Sequence, residues 1–215
     1  MIKGIIFDAD GTLLDSMHIW EELGERYLAD RNIIAEEGLG KTLYPMTLEQ
    51  SSTYLKNKYS IKDSTEKIIN DILSLLTDFY KKEVLLKEGV GVFLEKMKSK
   101  GVAMGIATSG DKELLVSALK RLNVYHCFSV ILTCSQYDTS KNEPLIYLKT
   151  AQMLGTTANE TVVFEDVLYG IKTAKDAGFV TVAVEDLSNI EDRQQLKECA
   201  DYYIRDFNDK VLENI

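Results

Sequence analysis

Five short apolar runs punctuate the chain, at residues 2–7, 102–107, 129–132, 161–164 and 179–184. They show no regular polar alternation and are mostly rich in Val and Ile, which predicts strands buried on both faces, as in a parallel sheet. Between the later runs the period changes. Val90, Phe93, Leu94 and Met97, and then Leu115, Ala118, Leu119 and Leu122, recur at i, i+3, i+4, i+7, the stripe of an amphipathic helix. Tyr147, Ala151 and Leu154, and the stretch 168–177, suggest two more helices, the first opened by Pro144 at its first helical position. Strands alternating with helices predict an α/β fold: a Rossmann-like parallel sheet core with helices on both faces.

The alternation stops between the first and second runs. There Trp20, Leu23, Tyr27 and Leu28 fall on one helical face, and Ile68, Ile72, Leu75, Leu76 and Phe79 mark a longer helix with Asp63 or Ser64 as its N-cap. No convincing strand appears, so residues 16–83 read as an all-helical insert, leaving 1–15 and 84–215 to the core. Within the insert, Tyr44, Met46 and Tyr54 belong either to its own core or to a pocket for substrate.

Composition narrows the functional classes. With 34 acidic against 25 basic residues the net charge is −9, which argues against general nucleic-acid or anionic-membrane binding. Two histidines, His18 and His126, leave little room for a multi-histidine zinc site, so chemistry falls to carboxylates, hydroxyls and lysines. Cys127, Cys134 and Cys199 are widely spaced and form no C-x-x-C, and the opening apolar run ends at Asp8, too early for a secretory leader. No apolar run approaches the ~20 residues that span a bilayer. A cytoplasmic location is the expectation.

The strongest chemical signal is Asp8-Ala9-Asp10-Gly11-Thr12-Leu13-Leu14-Asp15-Ser16 at the carboxyl end of the first strand, where open α/β sheets bind ligands. Two carboxylates there suit a hard cation such as Mg²⁺, or one can attack while the other moves protons. The bland alternative is an Asp-Gly turn followed by a Ser16 helix cap. A calcium-binding EF-hand loop fits worse, because counting from Asp8 the sixth position is Leu13 and the twelfth Ile19, where such a loop needs glycine and a bidentate acid. Thr108-Ser109-Gly110 after the second strand can offer hydroxyl and N–H donors to phosphate, or be only a turn and cap. Lys141, ahead of a helix, is a candidate cation for phosphate or a solvated charge. Glu165-Asp166 at the end of the fourth run can complete an oxygen-ligand metal site or simply complement a helix dipole; Gly170, Ala174 and Ala177 follow at spacings that let the helix sit close on the sheet.

All four segments lie at predicted strand ends, with the insert directly after the first. This layout resembles the haloacid dehalogenase superfamily, in its phosphatase and β-phosphoglucomutase-like branch, with a helical cap domain inserted after the first strand. The resemblance covers nearly the whole chain. It implies that Asp8 is the nucleophile forming a transient aspartyl-phosphate and that Asp10 is the general acid and base. It also implies a Mg²⁺ cofactor held by Asp8, the main-chain carbonyl of Asp10 and Asp166, with Glu165 as a direct or supporting partner. Thr108, the Ser109 backbone and Lys141 would bind the phosphoryl oxygens.

The function so implied is a Mg²⁺-dependent phosphomonoester hydrolase for a small phosphorylated metabolite, such as a sugar phosphate. An acid at Asp10 sets dehalogenation aside, since that reaction does not need it. A β-phosphoglucomutase-type mutase is the alternative, weakened by three departures: Trp20 stands where the family has a cap histidine, Leu48 where it has a sugar-reading arginine, and Asp111 where it has a lysine. More distant is a non-catalytic switch phosphorylated on aspartate, although receiver domains carry their acids on different strands and lack the insert.

Overall fold

The computed structural model describes residues 2–214, so the outermost positions of the expected core, Met1 and Ile215, lie outside the described residues. The chain divides into two compact units, Met1–Ser16 with Val84–Ile215, and Met17–Glu83. In chain order the elements are β1 (Gly4–Phe7), β2 (Leu14–Asp15), α1 (Ile19–Ala29), α2 (Leu39–Leu43), α3 (Leu48–Lys58), α4 (Thr65–Asp78), β3 (Leu85–Leu86) and α5 (Val90–Ser99). They continue with β4 (Ala103–Thr108), α6 (Lys112–Arg121), β5 (Val130–Thr133), α7 (Leu145–Leu154), β6 (Thr161–Glu165), α8 (Leu168–Asp176), β7 (Val180–Val184), α9 (Arg193–Cys199) and β8 (Tyr202–Ile204).

The larger unit is a six-stranded, wholly parallel sheet in the order β5-β4-β1-β6-β7-β8. The apolar runs have their cause in the two faces of β1. Phe7 stacks on Phe164 at 5.0 Å and meets Phe93 of α5 edge-on at 6.3 Å, while its neighbour Ile6 joins Val163, Ile146 and Tyr147 in a second cluster. All four β1 residues are buried, so no position on that strand is left to be polar. The chain runs outward from β1 through β4 to β5, then crosses back to β6. The carboxyl end of β1 is therefore the switch point of the sheet, flanked by the ends of β4 and β6. Directly beyond it β2 and β3 pair antiparallel, joining the points where the chain leaves this unit and returns to it.

The smaller unit consists of α1 to α4, with a short π-helical turn at Phe79–Glu83. Ser64 is the N-cap of α4, accepting from Lys67 N, and Thr47 and Gln50 form a reciprocal capping box that starts α3. Because α4 buries Ile68, Ile72 and Leu76 along one face, loosening its first turn weakens that packing. Ser64→Ala is expected to lower stability by about 1 kcal/mol, read as a shift in the urea midpoint with unchanged slope. Tyr44 and Met46 line a cavity of about 350 Å³ together with Trp20, Leu23 and Leu48. Tyr54 does not; its hydroxyl donates to Glu36 at 2.8 Å.

The structure departs from the sequence expectation in several places, the short strands β2 and β3 and the helix α9 among them. β8 was not anticipated, because Tyr202 and Tyr203 are only partly buried and the strand is three residues long. Helices α2 and α3 add to the two that periodicity marked in the insert. Pro144 occupies the N-cap of α7 rather than its first turn; with no N–H to leave unpaired, proline fits either position.

Candidate active site

Asp8 follows β1 directly and its backbone N–H donates to Phe164 O at 2.9 Å, which ties the first turn beyond the strand to β6. Its carboxylate is buried, and so are those of Glu165 and Asp166; one oxygen from each lies within 4.8 Å of the others. Lys141 is also buried and reaches into this group from the loop before α7. Its ammonium pairs with Asp8 and, at 2.5 Å, with Glu165 Oε1. Glu165 is held from every side, accepting from Tyr147 Oη at 3.0 Å and from the N–H groups of Asp166 at 2.9 Å and Val167 at 3.4 Å. Asp166 is fixed by Thr12 Oγ1 at 2.9 Å on one oxygen and by Asn189 Nδ2 at 2.8 Å on the other.

The electrostatics follow from this crowding. Burial pushes the Asp8 carboxyl up to about 7, against the pull of Lys141 and with a further push from Glu165. Burial, followed by Glu165 and Asp8, raises Asp166 well above the ordinary carboxylate range. Burial alone would lower Lys141, but Asp8 and Glu165 beside it hold it well above the usual lysine value. With the acids ionised, three carboxylates against one ammonium would leave a surplus of negative charge in a buried volume. An all-oxygen donor set with that surplus fits a hard divalent cation such as Mg²⁺. Asp8, Asp166 and Glu165 are the side chains available to hold it.

Asp10 stands apart from this group. It is only partly buried, its Oδ1 accepts from Ser16 Oγ at 2.7 Å, and a β-carbon on Gly110 would lie 2.9 Å from its Oδ2. Its carboxylate thus lies beside the loop after β4, where Thr108 is buried and Ser109 exposed. Thr108 Oγ1 accepts from Gly110 N at 2.9 Å, and Ser109 Oγ donates to Cys134 Sγ at 3.6 Å. Six of the seven positions singled out from the sequence, Asp8, Asp10, Thr108, Ser109, Glu165 and Asp166, therefore sit on or just past the ends of the three central strands, and the seventh, Lys141, reaches the carboxylates among them.

Four further residues build the site without having been singled out. Thr12 and Asn189 orient Asp166, and Ser16 orients Asp10. Lys87 is the fourth: its ammonium donates to the carbonyls of Gly11 and Glu185, both at 2.6 Å, and pairs with Asp186 at 2.8 Å. Thr12 and Ser16 at least lay within the first motif; nothing local marks Lys87 or Asn189.

Gly11, in the turn after β1, holds a backbone conformation that favours glycine. Its φ is +79°, and a β-carbon there would come 2.5 Å from Asp166 Oδ2. Gly11→Ala is expected to lower stability by at least about 1–2 kcal/mol from the left-handed conformation alone, and to weaken divalent-cation binding by displacing Asp166. Thermal denaturation with and without Mg²⁺ checks both, since the variant's melting temperature should respond less to the ion.

Such an assembly, acids and a lysine at the switch point of a parallel sheet with a helical insertion after the first strand, defines a class. Residues 5–184 match the sequence model of the haloacid dehalogenase-like hydrolases, and the chain belongs to that family. It is 30% identical over 179 residues to the phosphorylated carbohydrates phosphatase of Thermotoga maritima, covering 82% of each chain. To a provisionally assigned phosphatase, YhcW, of Bacillus subtilis it is 29% identical over 188 residues, covering 86% of this chain and 84% of the other. Its fold superposes with a TM-score of 0.87 on the crystal structure of a provisionally assigned beta-phosphoglucomutase from Thermotoga maritima, at 25% identity over the full length of both chains. Among the described residues no helix is long and apolar enough to cross a membrane.

Proposed function

We propose that the chain is a Mg²⁺-dependent phosphomonoester hydrolase acting on a small phosphorylated metabolite, a phosphorylated carbohydrate first of all, through an aspartyl-phosphate at Asp8. The observation that carries this reading is the division of labour between the acids. Asp8 lies in the buried, lysine-paired group, whereas Asp10 lies outside it, partly open and hydrogen-bonded to Ser16. A nucleophile and a proton carrier need those two different settings.

In the first half-reaction an Asp8 oxygen attacks phosphorus and the ester oxygen leaves with the proton of Asp10. In the second, water attacks the phosphoryl group, Asp10 takes back a proton, phosphate departs and the Asp8 carboxylate is restored. The bound cation would offset the negative charge of the carboxylates and of the phosphoryl oxygens. Asp8, Asp166 and the main-chain carbonyl of Asp10 would hold it. Glu165, already accepting from Lys141, Tyr147 and two backbone N–H groups, acts chiefly by positioning Lys141. Lys141, Thr108 and the backbone at Ser109 bind the phosphoryl oxygens, and the unit Met17–Glu83 serves as a cap that excludes water.

A sugar-phosphate mutase is the second reading, favoured by the fold likeness to the provisionally assigned beta-phosphoglucomutase of Thermotoga maritima. Product analysis on a panel of phosphate esters that includes β-glucose 1-phosphate separates the two. Free phosphate formed only with Mg²⁺, and absent with Asp8→Asn, is expected. Glucose 6-phosphate without phosphate release would make the chain a mutase. Silence on every ester, with a phosphorylated Asp8 that persists, would overturn both in favour of a switch.

A further inference from the structure

Outside the carboxylate cluster, one other group of side chains among the described residues is arranged to ligate. Glu95, on α5, and His126 and Cys127, on the 3-10 turn that leads into β5, bring three different donor atoms together. His126 Nε2 lies 2.8 Å from Glu95 Oε1, and Cys127 Sγ lies 3.6 Å from Glu95 Oε1 and 3.7 Å from His126 Nε2. For a tetrahedral Zn²⁺, with metal–sulfur, metal–nitrogen and metal–oxygen bonds of the usual lengths, the edges between such ligand atoms are roughly 3.3–3.6 Å. The triangle already present departs from those edges by about half an ångström or less. The side chains need little movement to close on an ion.

The chemistry of the set is as selective as its geometry. A thiolate, an imidazole and a single carboxylate favour a borderline-soft transition metal and are poorly matched to Mg²⁺ or Ca²⁺, which want oxygen. The Cys127 thiol is buried, which shelters a metal–sulfur bond from solvent, while the side chains of Glu95 and His126 are 57% and 43% exposed and leave a way in. Three protein ligands leave a fourth position for water or an exogenous group. The turn carrying His126 and Cys127 precedes β5, so the cluster belongs to the amino-terminal side of that strand, whereas Asp8 and Thr108 lie at the carboxyl ends of their own strands.

We propose that Glu95, His126 and Cys127 form a second metal site, for Zn²⁺ or a similar transition-metal ion, separate from the catalytic cation. Binding joins α5 to the turn before β5 through the metal, and the Cys127 thiol releases its proton to solvent as the sulfur–metal bond forms.

The test uses the whole chain, freed of metal by chelator and kept in excess Mg²⁺ so that the catalytic carboxylates are engaged. Co²⁺ is then titrated while the near-ultraviolet thiolate-to-cobalt absorption is followed. A saturable band that Zn²⁺ bleaches is expected, absent in Cys127→Ser and shifted to at least about tenfold weaker binding in His126→Asn and Glu95→Gln. The last two changes replace exposed atoms and do not threaten the fold. No band on Co²⁺ addition overturns the site. So does a band unchanged in His126→Asn and Glu95→Gln, which would assign the metal to a thiol alone.

Discussion

Asp8→Asn is expected to abolish ester turnover while leaving the fold intact. The amide keeps the size of the carboxylate and an oxygen for Lys141, which also retains its pairing with Glu165 at 2.5 Å, so the scaffold loses little. What it loses is the charged oxygen able to attack phosphorus. Deleting a nucleophile from a hydrolase has been worth as much as ~10⁶ in turnover, far beyond a positioning effect. Stability supplies the control. Because burial raises Asp8 to about 7 from an ordinary 3.8, the folded chain holds that proton more tightly than the unfolded one. The stability linked to it is complete below the unfolded value and is lost as the pH rises through the folded one. Asparagine carries no such proton. Without divalent cations, the melting temperature of the variant relative to wild type should therefore climb as the pH rises from about 4 and level off above about 7. Near-normal Mg²⁺-dependent turnover in a well-folded Asp8→Asn would remove Asp8 as nucleophile.

The nucleophile and its acidic partners were legible in the sequence because strand and motif reinforce each other. A run buried on both faces has few places to put an acid, so Asp8 after Phe7 and Glu165-Asp166 after Phe164 stand out at once, and the pairing of β1 with β6 joins them. Lys141 was legible only as a candidate, since a lysine in a polar loop looks solvated until the fold buries it. Lys87 and Asn189 gave no signal at all. Each is one polar residue outside any motif, brought to Gly11 and to Asp166 by tertiary structure alone. The fold shows the same divide. Strands β1, β4, β5, β6 and β7 follow from hydrophobic runs, whereas β2 and β3, two residues each, have no period to read. α3 is intermediate: its buried face is only Ser52 and Leu55, so periodicity is silent, yet Thr47 and Gln50 carry a capping-box spacing that does announce a helix start.

Asp10→Asn tests the other half of the chemistry, with an expected loss of about 10² to 10⁴ in turnover. The substitution is conservative in structure, because the amide keeps the size of the carboxylate and its oxygen can still accept from Ser16 Oγ, now at 2.7 Å from Asp10 Oδ1. Only the capacity to give and take a proton disappears. That loss should fall unequally on the two half-reactions. An alkyl ester, such as a sugar phosphate, leaves as a strong base and needs the proton of Asp10 at the moment of cleavage, so both halves slow. An aryl ester leaves unaided, so transfer to Asp8 proceeds while hydrolysis of the aspartyl-phosphate, which needs Asp10 as base, stalls. With an aryl phosphate the variant should release a burst of phenol equal to the enzyme present and then turn over slowly, with phosphate retained on Asp8. Mass spectrometry of the quenched burst locates it. Equal losses on alkyl and aryl esters, with no burst, would mean that Asp10 orders the loop instead of carrying the proton.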